Sequence, residues 1–214
     1  MNGQNYSLML ENTLKQISEN EKKPSLLIHA CCAPCSSYVL EYLANFFDIT
    51  LFFFNPNISP QSEYDFRLEE LKRLVEEMPL PPSVKVMEGR YCPEKFYEMA
   101  HGLEKLAEGE ARCKKCYRLR LRESARIAKE HCFDYFTTTL SISPYKNATW
   151  LNTIGEEEGN AVGVKYLFSD FKKKNGYKRS CELSAEYGLY RQDYCGCEFS
   201  RRDAEKRKND KEKA

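Results

Sequence analysis

The chain has 214 residues, 33 of them basic and 32 acidic, giving a formal net charge of +1. That balance excludes a uniformly basic surface but leaves room for local cationic patches. At this length folding removes roughly 70% of the unfolded chain's accessible surface, so a core forms without disulfide staples, and ten cysteines exceed what stability needs.

Residues 1–23 are polar with a weak helical stripe at Leu10, Leu14 and Ile17, and read as an accessory N-terminal helix. Met1 to Leu10 lacks the basic segment and long apolar run of a secretory signal. No stretch approaches the ~20 apolar residues of a membrane span. A cytoplasmic protein without a membrane partner is therefore expected. In such a reducing setting close cysteine pairs point to metal or redox chemistry more than to structural disulfides.

From Ser25 the pattern alternates. A strand over 25–29 leads into a helix at about 36–46, and the apolar run Ile49 to Phe54 reads as a buried strand. Asn55-Pro56-Asn57 breaks it. Ser59-Pro60 opens a long helix with Tyr64, Leu68, Leu71 and Val75 on its inner face. Val84 to Met87 is a third strand, and Phe96, Ala100, Leu103 and Ala107 mark a further helix. A charged helix follows Arg112-Cys113-Lys114-Lys115-Cys116 and runs to about Glu130, and Tyr135 to Leu140 is a strand. A helix from Trp150 to about Gly159, a strand at Tyr166 to Phe168 and a helix from Tyr177 to Tyr187 complete the alternation. The predicted fold is α/β: a mainly parallel, Rossmann-like sheet with helices on both faces, in one domain. Residues 24–199 form that catalytic domain, and 200–214 a charged, frayed tail.

His29-Ala30-Cys31-Cys32-Ala33-Pro34-Cys35 falls at the carboxyl end of the first strand, where an open sheet keeps its chemistry. Thiolates suit zinc or an iron–sulfur cluster, and Cys113-x-x-Cys116 alone serves either metal or thiol–disulfide exchange. Adjacent Cys31 and Cys32 reach a multinuclear cluster more readily than one small ion, which favours iron and sulfide. Cys195-Gly196-Cys197 reads as an easily reduced redox pair or as two further ligands. Cys35 is either a ligand or simply an early helix residue. His29 is a ligand, a proton carrier or a satisfied strand-end histidine. Cys92 is read as a capping or surface residue, and Cys132 and Cys181 as core.

Arg118, Arg122 and Arg126, spaced by four, share a helix face, either a solvated stripe or a phosphate site. Lys172-Lys173-Lys174 with Lys178 and Arg179 form a second cluster, and Arg191 lies near the double-thiol motif.

Three blocks carry a resemblance. Cys31-Cys32-Ala33-Pro34, then Arg112-Cys113-x-x-Cys116 with Arg118-Leu119-Arg120-Leu121, then Arg179-Ser180-x-Glu182-Leu183-Ser184 to Leu189-Tyr190-Arg191-Gln192-x-Tyr194-Cys195-Gly196-Cys197 together resemble the cobalamin-independent epoxyqueuosine reductases of the QueH family. The likeness runs from about Leu26 to Cys197. It implies an oxidoreductase of queuosine synthesis, acting on transfer RNA that carries epoxyqueuosine and reducing the wobble epoxide to the cyclopentene. It implies a 4Fe–4S cluster on Cys31, Cys32, Cys113 and Cys116, a redox-active pair at Cys195 and Cys197, and a second, mononuclear iron whose ligands it does not assign; Cys35 and His29 are candidates for a second-metal or proton role. An electron donor, unnamed by the sequence, completes the partners. With that substrate, Arg118, Arg122, Arg126 and Arg191 are expected on phosphates and Tyr194 on the base.

The rival readings are a zinc- or cluster-bearing nucleic-acid-binding module without catalysis and a general thiol oxidoreductase. An ATP-dependent thiolation or pyrophosphatase-type enzyme fits less well, because cysteines replace the glycine-rich phosphate loop after the first strand.

Overall fold

A computed structural model describes residues 4–19 and 21–212, without side chains at 211 and 212. Five strands form one sheet in the order β3-β2-β1-β4-β5, and every pairing is parallel. β1 (Ser25–His29) is the centre, flanked by β2 (Asp48–Phe53) and β4 (Tyr135–Thr138), with β3 (Lys85–Glu88) and the two-residue β5 (Lys165–Tyr166) outside. Leu26, Leu27 and Ile28 are fully buried, as a strand covered on both faces requires.

Side-chain alternation divides these strands between two cores. Leu26, Ile28, Ile49, Leu51 and Phe53 face one side with the stripe Leu10, Leu14 and Ile17 of α1 (Tyr6–Ser18). Leu40 and Leu43 of α2 (Ala33–Leu43) and Tyr64, Leu68 and Leu71 of α3 (Gln61–Glu77) complete that core. Leu27, Phe52 and Phe136 face the other side, against Tyr117, Leu121 and Ala125 of α5 (Ala111–Glu130) and Leu151 and Ile154 of α6 (Ala148–Val162). The expected α/β fold with helices on both faces is the one observed.

Strand order reverses between β1 and β4, so the carboxyl ends of these two strands open on one crevice. Ligands of open α/β sheets bind at such a place. The cysteine-bearing turn leaves β1 there. β4 is shorter than its β-rich sequence suggests, because Thr138 accepts a hydrogen bond from the Leu140 amide and turns the chain into a short 3-10 helix, Thr139–Ile142.

Other differences have similar local causes. α4 (Pro93–Ala100) stops before Leu103, where His101 leaves helical backbone and Gly102 takes a positive φ of 76°. Residues 200–212 lie within α8 (Glu198–Glu212), anchored by buried Phe199, Ser200 and Ala204 and by a Lys208–Asp193 ion pair of 2.5 Å, and the last two residues of the expected tail lie outside the described residues. Cys132 is exposed at a φ of 57° just past α5, so it is a turn residue outside the core. Cys181 on α7 (Gly176–Glu186) is half-buried. Cys92 does precede Pro93 at the start of α4, yet it is buried and its side chain caps nothing.

Candidate active site and metal centre

The turn after β1 is irregular over the three residues Ala30, Cys31 and Cys32, and Pro34 falls in the first turn of α2, where its missing N–H costs nothing. Side chains that diverge in a regular element converge here. The sulfurs of Cys31, Cys32 and Cys35 all lie within 4.8 Å of one another, and Cys31 and Cys32 are 3.7 Å apart. Thr139 of the 3-10 helix sets its hydroxyl 3.6 Å from the Cys31 sulfur, tying β4's carboxyl end to the trio. Hydrogen bonds from Cys32 and Cys35 hold the Cys31 thiol well below its ordinary range. The same bonds push Cys32 and Cys35 up.

A second group comes from α5 and the segment before α8. Arg112, Cys113, Cys116, Tyr117 and Arg120 turn inward and line a tight cavity with Cys195, Cys197 and Asn57. Burial pushes the Cys116 thiol up to about 12 and also raises Cys113 and Cys197. Gly196 makes the Cys195–Cys197 turn possible. Its φ is 111°, and a Cβ there would lie 2.9 Å from Ile58 and 3.1 Å from the Arg67 guanidinium. Arg67 itself reaches the Cys195 carbonyl at 3.4 Å while bound to Glu63 at 2.7 Å. The Cys197 sulfur accepts the Ser200 amide at 3.4 Å at the start of α8.

Next to this lies an open cavity of about 550 Å³, lined by Cys31, Cys32, Cys35, Arg67, Lys146, Tyr177, Arg191, Tyr194 and Arg207 among others. Its size suits a nucleoside-scale ligand. Cys195 and Glu108 line both cavities, so one thiol of the Cys195–Cys197 pair is shared between the tight cavity and the open one.

A family model described as epoxyqueuosine reductase QueH matches residues 26–203. Similar proteins bear the same name, epoxyqueuosine reductase QueH. The one from Staphylococcus epidermidis is 43% identical over 200 residues, covering 92% of this chain and 84% of that protein. The one from Streptococcus pyogenes serotype M1 is 42% identical over 92% of this chain and 78% of its own length. The Thermotoga maritima protein is 37% identical over 82% of this chain and 90% of its own. This chain belongs to the epoxyqueuosine reductase QueH family.

That membership confirms the resemblance read from the sequence and makes the protein an oxidoreductase. The matched span takes in the cysteines of both cavities and the first turns of α8. Cys31 and Cys32 are brought together with Cys35, whereas Cys113 and Cys116 line the neighbouring cavity with the Cys195–Cys197 pair. Tyr194 and Arg191 line the open cavity. Arg118, Arg122 and Arg126 are placed otherwise. Arg118 and Arg122 pair with Glu158 of α6 at 2.9 and 3.0 Å, and Arg126 with Glu123 and Glu130 of its own helix. A phosphate there would have to displace carboxylates already in contact.

His29 is also otherwise engaged. Its Nε2–H donates to the Phe54 carbonyl at 3.0 Å, and Nδ1 accepts from the Thr138 hydroxyl at 2.9 Å. Phe54 offers only an acceptor, which fixes the tautomer and leaves no ring nitrogen for a metal. Burial, with the charge of Arg120, lowers its pKa to about 4. The ring is a neutral strut joining three strand ends.

Two features escape periodicity in the sequence. Arg112 and Arg120 are 1% exposed, and each has a buried Nη2 with no hydrogen-bond partner. The Arg120 charge acts on Cys116, Cys195 and Cys31, that is, on thiols of both cavities. Both donate to backbone carbonyls through other nitrogens, but a buried guanidinium charge is costly unless an anion meets it. A 4Fe–4S cluster on four thiolates is such an anion, and the thiol-rich, cation-backed site fits one. The signal for Arg120 was available: it stands four residues after Cys116 and so shares its helix face.

Proposed function

We propose that this chain reduces epoxyqueuosine in transfer RNA, removing the epoxide oxygen of the wobble nucleoside as water and leaving the cyclopentene. The observation that carries the reading, beyond family membership, is that Cys195 opens both onto the buried thiols and onto a nucleoside-sized cavity. The wobble nucleoside enters the open cavity past Tyr177 and Tyr194. Arg191 and Arg207 at its wall meet flanking phosphates, and a cytoplasmic location suits that substrate.

Cys195 and Cys197 serve as the immediate reductant. Their oxidation to a disulfide releases two electrons and two protons, which is what converting an epoxide to an alkene and water consumes. Gly196 lets the two sulfurs approach, and the electron donor restores the dithiol afterwards. Cys31, Cys32, Cys113 and Cys116 would hold a 4Fe–4S cluster, backed by Arg112 and Arg120, and supply single-electron transfer beside the pocket. For a second iron Cys35 is the best-placed thiol, and the occupied nitrogens of His29 take it out of that role.

The test is anaerobic incubation of iron-loaded protein with a reductant and transfer RNA bearing epoxyqueuosine, followed by nucleoside analysis. Queuosine should form, and Cys195→Ser should abolish turnover. A colourless protein with one zinc per chain that converts nothing would return the chain to a binding role.

A further inference from the structure

We propose that Lys146 delivers the proton to the epoxide oxygen, its ammonium held toward the open cavity by Glu108. The proposal rests on the reductase reading above and adds the proton donor to it.

Lys146 sits in the turn after the 3-10 helix at β4's carboxyl end, with its amide 3.2 Å from the Ser143 carbonyl. It is 8% exposed overall. Its Nζ is 3.2 Å from the Glu108 carboxylate, whose own side chain is 19% exposed. A buried lysine in a loop is expensive to keep. This pair joins no strands or helices of the sheet. What it does occupy is the boundary between the two cavities, where Glu108 and Cys195 are both found. The charged or titratable groups acting on Lys146 are Glu108, Tyr117 and Cys195, and its own charge is felt at Cys113.

Other groups facing the open cavity are poorer donors. Arg67, Arg191 and Arg207 do not release protons near neutrality. Asp193 is tied to Lys208 at 2.5 Å, and Tyr194 lies under the Arg67 guanidinium, 5.3 Å from its ring centre. Among the described residues Lys146 is the one lysine lining this cavity.

The chemistry balances around it. The Cys195 thiolate attacks one epoxide carbon, forming a C–S bond as the first C–O bond breaks; the alkoxide left is a far stronger base than an amine, so transfer from the ammonium is downhill. The Cys197 thiolate then attacks the Cys195 sulfur to form the disulfide, and the electron pair of the broken C–S bond makes the alkene while the second C–O bond breaks, expelling hydroxide that takes another proton and leaves as water. Each proton lost from Lys146 is replaced by one from the Cys195–Cys197 dithiol as it closes to a disulfide. The sum is epoxide plus dithiol giving alkene, disulfide and water. Cys195, Tyr117 and Glu108 together favour the ammonium against its burial, and the Glu108 contact aims it between turnovers.

Single-turnover conversion of epoxyqueuosine transfer RNA by the iron-loaded enzyme tests this. Lys146→Ala should lower the maximal rate by about 100-fold with KM within about twofold and iron and sulfide content unchanged. Methylammonium, occupying the vacated space, should restore part of the rate, and more acidic alkylammonium ions should do so according to their acidity. Lys146→Met, which keeps the apolar stem, serves if the alanine variant does not fold, and should show the same loss. A variant at the wild-type rate, a loss confined to KM, or a rate no ammonium ion restores would overturn the role of Lys146. Wild-type protein that converts nothing would instead overturn the reductase reading itself.

Discussion

Helix α5 carries arginines on two faces, and they live in opposite circumstances. On the outer face Arg118, Arg122 and Arg126 are 37%, 66% and 54% exposed and each has a carboxylate in contact. On the inner face Arg112 and Arg120 are buried, hydrogen-bond to backbone carbonyls, and retain nitrogen atoms with no partner. The outer set is conspicuous in sequence by its regular spacing, yet its charge is already neutralised. The inner set is hidden among apolar and thiol neighbours and keeps a buried nitrogen with no partner among the described residues. Burial and partner supply, more than the spacing of charges, locate the place where this protein expects something negative.

The comparison can be broken at its strongest point with Arg120→Met. Retained iron and sulfide after anaerobic purification should fall about 10-fold or more, the scale on which outer partners of a metal site matter. The apoprotein should melt no lower than wild type, since an apolar side chain removes an uncompensated buried charge. A variant that keeps its metal but loses stability would make Arg120 a structural residue only.

A smaller effect separates the outer face from the cavity wall. Arg191→Ala and Arg207→Ala should each reduce the salt slope of transfer RNA binding by roughly one phosphate contact. Arg122→Ala should leave that slope unchanged and alter stability by less than about 1 kcal/mol, as exposed ion pairs do. A reduced slope in Arg122→Ala would restore the α5 stripe to the nucleic-acid surface.

Much of the fold was legible in the chain. The buried run Leu26 to Ile28 and the helical stripe Tyr64, Leu68 and Leu71 announce their elements because burial on two faces, or on one, imposes a period. The end of α4 and the short β4 were not, since a left-handed Gly102 and a Thr138 hydroxyl accepting from Leu140 act locally against the apolar pattern. Of the site, the converging Cys31 and Cys32 could be anticipated from an irregular turn at a strand end. Cys35 joins them because α2 begins at Ala33, three residues earlier than the apolar pattern suggests. Lys146 had no signal at all: a loop residue's burial is decided by what packs around it, and nothing in Ser143-Pro144-Tyr145-Lys146 carries a period.

The central claim is that the thiols here are divided between holding a cluster and turning over as a redox pair. Iron and acid-labile sulfide, with the visible spectrum, measured on anaerobically purified wild type, Cys113→Ser and Cys195→Ser, test it most directly. A 4Fe–4S complement of iron and sulfide in wild type and in Cys195→Ser, and its loss in Cys113→Ser, is the result expected. Loss of iron in Cys195→Ser, or its full retention in Cys113→Ser, would contradict that division of labour.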